Sequence, residues 1–344
     1  MSLNLIDPFL KFATGGGGAP FYEVLASTTG TSEPITVSGI GSDYKNLMIL
    51  ASGKATTDGF RFGLNFNGSS ASDYTSRINA NGGVEVTTET DHDDIIIGEA
   101  DMSQGGFSVA WLTGVAGYGK MLSYRNIRTS GTGAGDTPSR TDGIGSWQNE
   151  SDAISSVTLL NGASSGDCNP CELVVLGYNP DATSGTQAWT QIASETISSD
   201  GDNFSLSFSS TKKYLWIQVF NVDNATGDIM MKFNGTTGNE YAERYSDDFG
   251  SDSTNGDKGG IDSNYGATAG NSFHNYWIYN NASLQKLVIY NYTIQNGDEG
   301  NAPTNLNAVG KWTNTSNQIT SAVITAGGGG FKAGSYAIVW GFDP

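Results

Sequence analysis

The sequence predicts an all-β protein: two tandem, internally duplicated β-sandwich or jelly-roll-like domains that follow a short N-terminal arm. Three observations support this fold class. The 344 residues suffice for about two domains of roughly 150 residues. Short apolar or alternating runs are separated by Gly, Asn, Asp and Ser clusters, which supply hairpin turns. Similar segments also recur along the chain in the same order.

The recurrence predicts two copies of one domain, because four ordered matches occur while the offset drifts only from 167 to 164 residues. The segment 107–112 matches 273–278, and 176–180 matches 340–344. Single aligned positions are Phe66 with Phe233, Asn67 with Asn234, Gly68 with Gly235, Tyr74 with Tyr241, Arg77 with Arg244, Tyr124 with Tyr290 and Trp147 with Trp312.

The repeat sets the domain boundaries. Residues 1–19 form an apolar arm and glycine hinge, 20–180 the first sandwich, 181–187 a linker, and 188–344 the second sandwich. Each copy is large enough to bury its own core.

The strands are predicted from runs of about four to eight residues between turn clusters, a spacing typical of sandwiches and jelly rolls. The predicted strands are 45–51, 60–66, 95–98, 107–113, 121–127, 157–160 and 173–177 in the first copy, and 214–220, 229–233, 276–279, 284–294, 322–325 and 336–340 in the second. Two long polar stretches, 128–142 and 246–270, are expected to be functional or mobile loops.

The N-terminal arm differs in kind from the rest of the chain. Four consecutive glycines at 15–18 follow it and form a flexible joint. So short an apolar segment cannot form a core alone. It must be buried against its own domain, a symmetry mate or another protein, and the hinge favours docking into a partner. The predicted partner-binding residues are Leu3, Leu5, Ile6, Phe9, Leu10 and Phe12.

The charge balance excludes several partners. The chain has 17 Lys and Arg against 35 Asp and Glu, a net charge of -18. Nucleic-acid binding and adsorption to anionic lipid both require clustered basic residues, so neither is expected.

No apolar run approaches the roughly 18 residues that span a bilayer, so membrane insertion is not expected. The start lacks the basic and apolar regions of a secretory signal peptide.

Candidate catalytic and metal-binding residues are few. Cys168 and Cys171 are expected at a hairpin tip, with a local disulfide left open. His92 is expected in an acidic turn and His274 in a strand, neither beside a nucleophile elbow. No catalytic residue, cofactor or metal ligand is therefore predicted. Calcium near Asp252 and Asp257 stays a minor alternative, because oxygen ligands there surround a glycine turn without the EF-hand spacing.

Several aromatic side chains could stack on sugars. Tyr118 is one of them. Trp147 and Trp312 occupy equivalent places in the two copies, which favours packing inside each domain over a ligand platform.

The closing segment of the second copy resembles the "I-T-S-I … F-x-A-G-S-x-I-x-L-Y-G-I" ending that is frequent in structural proteins of tailed bacteriophages. The first copy departs from this pattern, since Cys-Asn-Pro-Cys at 168–171 replaces the F-x-A-G core, although Ile154, Ser156 and Gly177 remain. The opening of the first copy, from 21 through 47, is also similar to such proteins. The matching positions are Ile319, Ser321, Phe331, Ala333, Gly334, Ser335, Ile338, Trp340 and Gly341.

The resemblance implies a virion structural role and no catalytic residues. Together with the arm and the repeat, it predicts a protein that is attached to the particle through its arm and exposes two sandwiches, as a capsid decoration or a tail fibre. Its expected partners are other capsid or tail proteins and further copies of itself, as a trimer by analogy with other virion sandwiches. The alternative is a lectin-like adhesin that recognises a host surface glycan. A polysaccharide-degrading enzyme is a third interpretation, because a pair of acids could hydrolyse glycosidic bonds.

Overall fold

The computed structural model is all-β, as the sequence predicts. It describes residues 22–57, 60–83, 86–163, 166–182, 185–224, 229–248, 250–263, 270–295 and 302–344. Within these ranges the chain forms 24 strands and no helix, and hence no helix that could cross a membrane. The six predicted partner-binding residues of the arm lie outside the described residues.

The first half of the chain forms an eight-stranded antiparallel sheet and a four-stranded antiparallel sheet. The large sheet has the order β1-β12-β3-β8-β9-β10-β5-β6 and the small sheet has the order β2-β11-β4-β7. The strands are β1 (Glu23–Gly30), β2 (Ile35–Ser38), β3 (Asn46–Ala55), β4 (Arg61–Phe66), β5 (Tyr74–Ala80), β6 (Val86–His92), β7 (Ile95–Glu99), β8 (Gly106–Thr113), β9 (Lys120–Arg128), β10 (Ser139–Trp147), β11 (Ser156–Asn161) and β12 (Cys168–Tyr178).

The second half has the same strand order when each strand number is raised by twelve: β13-β24-β15-β20-β21-β22-β17-β18 and β14-β23-β16-β19. The predicted linker lies between β12 and β13. The strands are β13 (Thr190–Thr196), β14 (Phe204–Ser207), β15 (Tyr214–Asn224), β16 (Ile229–Phe233), β17 (Tyr241–Asp247), β18 (Ser253–Lys258), β19 (Ile261–Asp262), β20 (Gly270–Tyr279), β21 (Lys286–Ile294), β22 (Thr304–Trp312), β23 (Ser321–Ala326) and β24 (Tyr336–Phe342).

Local hydrogen bonds recur at the aligned positions. Asn67 and Asn234 both adopt a positive φ, 54° and 50°, which asparagine tolerates better than most residues. The Asn67 Oδ1 accepts a hydrogen bond from the Ser155 backbone N–H at 2.7 Å, and the Asn234 Oδ1 accepts one from Thr320 N–H at 2.8 Å. The same side chain therefore fixes the same turn in each half.

Each small sheet covers one face of its large sheet and encloses a hydrophobic core. Trp147 and Trp312, at equivalent places, are each 1% exposed within their respective cores, which confirms that they are packing residues. A buried lysine lies over each indole: the Nζ of Lys120 is 5.5 Å from the Trp147 ring centroid, and that of Lys286 is 5.8 Å from the Trp312 centroid.

A third hydrophobic core joins the two halves, and it is formed by the opposite faces of the two large sheets. Alternate residues of β3 divide between cores, so that Leu47 and Ile49 face the first sandwich core while Met48 and Leu50 enter the third. The layers thus follow the order small, large, large, small. Five of the seven tryptophans belong to this third core or pack against it: Trp111, Trp189, Trp216, Trp277 and Trp340.

In their described residues, the two stretches expected to be long loops contain strands and contact each other, which corrects that prediction. β10 begins inside the first stretch, and β18 and β19 lie inside the second. The Asp257 N–H donates to the Ala134 carbonyl at 2.9 Å, and Arg140 forms an ion pair with Asp252. The length and composition of each stretch predicted a loop, whereas its contacts come from the other half of the chain.

The predicted hairpin tip for the two cysteines is also wrong. Cys168 and Cys171 are fully buried at the start of β12, where they pair with Ala55 and Gly53 of β3. The structure joins them in a disulfide. Strand pairing with β3 on one side and β1 on the other buries both cysteines, while Asn169 and Pro170 between them are exposed at a register shift.

Candidate binding cleft at the domain junction

Beside the third core, the two large sheets leave an open cleft lined by both domains. In the first domain a row of polar side chains crosses three adjacent strands. Asp142 of β10 is paired directly with Asn79 of β5 and with Arg125 of β9. Side chains of directly paired residues point to the same face of a sheet. This row, Asn79–Asp142–Arg125, is called the first polar row below.

The second domain contributes the equivalent row. Asn307 of β22 is paired with Ser246 of β17 and with Asn291 of β21. These three positions align with the first polar row in the sequence repeat, and they are called the second polar row below. All six residues line the same cleft, which has a volume of about 1080 Å³.

Two tryptophans add apolar surface to the cleft. Trp111 of β8 and Trp277 of β20 both line it, and they occupy equivalent positions in the repeat. Their ring centroids are 5.3 Å apart and the rings lie edge to face at 70°. Contact between a residue and the residue at the equivalent position of the other half is typical of two similar units packed around a twofold axis.

The polar rows carry hydrogen-bonding capacity that the protein does not use. Arg125 Nη2 donates to Asn307 Oδ1 across the junction at 2.6 Å, and Asn79 Nδ2 donates to the Gly83 carbonyl at 3.0 Å. Four buried atoms of the rows have no hydrogen-bond partner among the described residues. They are Asn79 Oδ1, Asp142 Oδ1, Asn291 Oδ1 and Arg125 Nη1.

Charged groups at the cleft are largely paired with each other. Arg140, whose side chain is 6% exposed, contacts Asp142 and Asp252 at 2.5 Å each. Asp142 Oδ1 lies 3.7 Å from Arg125 Nε. Burial lowers the pKa of the Arg125 guanidinium, and the neighbouring Asp142 carboxylate opposes that shift. Asp252 is therefore engaged by arginines and does not offer the free carboxylate that the calcium alternative requires.

An apolar groove of about 580 Å³ continues from the cleft along the face of the first large sheet that points away from its small sheet. It shares four lining residues with the cleft, Trp111 among them. Met121 and Ile144 also line the groove, and they are 66% and 56% exposed. Tyr22, the first described residue, lies at this groove as well.

The two histidines occupy different environments. His274 lies in a strand as predicted and is fully buried, and burial lowers its pKa to about 3. Ser272 Oγ is 2.8 Å from Nε2 and Ser263 Oγ is 3.2 Å from Nδ1, so the neutral ring serves as a buried hydrogen-bonding group. His92 ends β6 rather than lying in a turn.

One group of possible metal ligands is present in the described residues. His92, Asp93 and Asp94 bring one ligand atom each within 4.8 Å of one another. Acidic groups commonly cluster without an ion, so this group does not by itself define a metal site.

Features that could suggest hydrolytic chemistry lie away from the cleft. Burial and a hydrogen bond with Asp167 raise the pKa of Glu33 to about 7, but neither carboxyl lines the cleft. A Gly-x-Ser-x-Gly run at 162–166, which the sequence reasoning overlooked, joins β11 to β12. A nucleophile elbow joins a strand to a helix, whereas strands flank this run on both sides, and its Ser164 lies outside the described residues.

No protein-family model and no curated protein matches the chain. Among solved structures, the chain has a weak similarity to Ail, the attachment invasion locus protein of Yersinia pestis, in complex with the heparin analogue sucrose octasulfate. The sequences are 5% identical, and the TM-score is 0.12 over 81% of this chain and 98% of that one. A similarity at this level carries no argument about the fold or the function.

Proposed function

We propose that this chain is a non-enzymatic structural protein of a bacteriophage virion, attached through its N-terminal arm and exposing two β-sandwiches. The observation that carries the proposal is the third core. It packs two sandwiches with the same strand order against each other, which suits a subunit that projects from the surface of a particle. The proposed partners are other capsid or tail proteins and further copies of this chain.

The residues that carry the phage resemblance have structural roles, in keeping with this proposal. Phe331 is fully buried in the second sandwich core. Gly334 has a φ of 92°, which favours glycine at that turn. The buried Ser335 Oγ accepts a hydrogen bond from the Val222 N–H at 2.9 Å. The motif thus specifies the hairpin that leads into β24, and it assigns no catalytic group.

The arm gives the test of this proposal. Changing Leu5 and Phe9 together to serine should lower incorporation into particles at least about tenfold, since burying each large apolar side chain contributes roughly 1.5–3 kcal/mol. The measurement is quantitative mass spectrometry of purified particles from a phage that encodes the chain. Hundreds of copies per particle indicate a capsid position, and a dozen or fewer a tail position.

The matched control changes Asn4 and Lys11, which lie in the same arm, to serine and should leave incorporation unchanged. Absence of the wild-type protein from purified particles would refute the virion role. Normal incorporation of the Leu5 and Phe9 double variant would refute attachment through the arm.

The cleft favours a second function, recognition of a host surface glycan. Ligand sites combine apolar surface with a few convergent polar groups. The Trp111–Trp277 pair and the two polar rows form such a combination at the domain junction. This function is compatible with a virion role, because a particle protein that projects from the surface can also bind the host.

A further inference from the structure

We propose that the cleft between the two polar rows binds an uncharged saccharide through its hydroxyl groups. This inference rests on the second proposed function and specifies both its site and its ligand class. It does not depend on whether the chain belongs to a virion.

The unused atoms of the rows define what a ligand must offer. Three of the four are acceptors, the oxygens of Asn79, Asp142 and Asn291, and one is a donor, on Arg125. A buried polar atom without a partner is costly, so such atoms are normally satisfied by water or by a ligand. A ligand that reaches these atoms after small side-chain rotations must mainly donate hydrogen bonds while also accepting one.

Sugar hydroxyls meet this requirement, since each can donate one hydrogen bond and accept others. An ionised phosphate, sulfate or carboxylate only accepts. It could satisfy Arg125, but it would leave the three acceptor oxygens unpaired and would lie beside the Asp142 carboxylate. The donor and acceptor balance of these four atoms therefore favours an uncharged polyol over an anion.

The apolar part of the cleft fits the same ligand class. A sugar ring presents C–H groups on its faces and hydroxyls at its rim. Trp111 and Trp277 provide rigid aromatic surface in the same cleft as the polar rows. The apolar groove extends this surface along the first large sheet, with exposed Met121 and Ile144. Because the cleft and the apolar groove are continuous, their combined length favours an oligosaccharide over a single sugar.

The test is a glycan array probed with the full-length protein, followed by titration calorimetry with the neutral oligosaccharide that binds best. The array holds neutral hexose and N-acetylhexosamine oligosaccharides beside sulfated and carboxylated ones. We expect binding to neutral glycans, with a change in tryptophan fluorescence because Trp111 and Trp277 line the cleft. Asn79→Ala and Asn291→Ala should each weaken binding about five- to tenfold, the effect of losing one hydrogen bond.

The control is Asn239→Ala, an exposed asparagine outside the cleft lining, which should bind like the wild type. Thermal unfolding of all three variants checks that the fold is retained. Binding restricted to sulfated or carboxylated glycans would overturn the ligand class and keep glycan recognition. Neutral binding that neither cleft variant weakens would overturn the site. No binding to any glycan would overturn both this inference and the second proposed function.

Discussion

Replacing Trp216 with alanine is expected to lower the free energy of unfolding by about 3–5 kcal/mol, the usual cost of removing a buried aromatic side chain. Trp216 is 7% exposed at the centre of the third core. Its ring centroid lies 5.9 Å from that of Trp189, 6.2 Å from that of Trp277 and 6.5 Å from that of Trp340. The substitution leaves a cavity that three large neighbours cannot readily fill.

Urea denaturation followed by far-ultraviolet circular dichroism measures this loss. Tyr118→Ala is the control, because that side chain is 72% exposed and its removal should change stability by no more than about 0.5 kcal/mol. A loss below about 1 kcal/mol for Trp216→Ala would mean that the third core contributes little to folding.

The second large effect is expected at the ion pair that links the two domains. Asp252 is 1% exposed in its side chain and accepts from Arg140 Nη2 at 2.5 Å and from Nε at 3.4 Å. Arg244 Nη1 lies 3.9 Å away. Asp252→Asn removes the negative charge and leaves two arginines beside a neutral amide. Because Arg140 keeps its contact with Asp142, the expected cost is about 1.5–3 kcal/mol, that of losing hydrogen bonds to a charged group.

The loss should be nearly the same in low and high salt, because buried charges are screened much less than exposed ones. Asp200→Asn is the matched control, since its pair with Lys332 is exposed to solvent and should contribute little to stability. Equal, small losses for both variants would show that the Asp252 pair does not hold the domains together.

The central strands could be predicted from the sequence because their side chains are apolar on both faces. The runs at 45–51 and 173–177 coincide with parts of β3 and β12, and 336–340 with part of β24. An alternating pattern would be expected if one face of each strand met solvent. These continuous apolar runs therefore also indicate that both faces of each strand are buried. The prediction of two separate sandwiches did not use this indication of a third core.

Other strands were not predicted because their pairing, and not their composition, keeps them in the sheet. β5, β10 and β17 are rich in polar residues, β10 also contains two glycines, and each strand contributes side chains to the cleft at the junction. β-propensity depends strongly on neighbouring strands, so a polar segment between two partners can be a regular strand.

The cleft could be predicted only in part. The repeat aligned Arg77 with Arg244 and the segments that contain Trp111 and Trp277, but it did not show that the two copies face each other. The two polar rows meet through residues that are far apart in the sequence, such as Arg125 and Asn307, which are 182 positions apart. Only the packing of one large sheet on the other brings them together.

The most direct test of this account is calorimetric unfolding of two equivalent core variants in the full-length protein. Phe66 and Phe233 are fully buried at aligned positions in the first and second sandwich cores. If the third core joins the sandwiches into one cooperative unit, the wild type, Phe66→Ala and Phe233→Ala each show a single transition, and both variants move it to lower temperature. Two transitions, of which each variant moves only the one for its own half, would contradict the account.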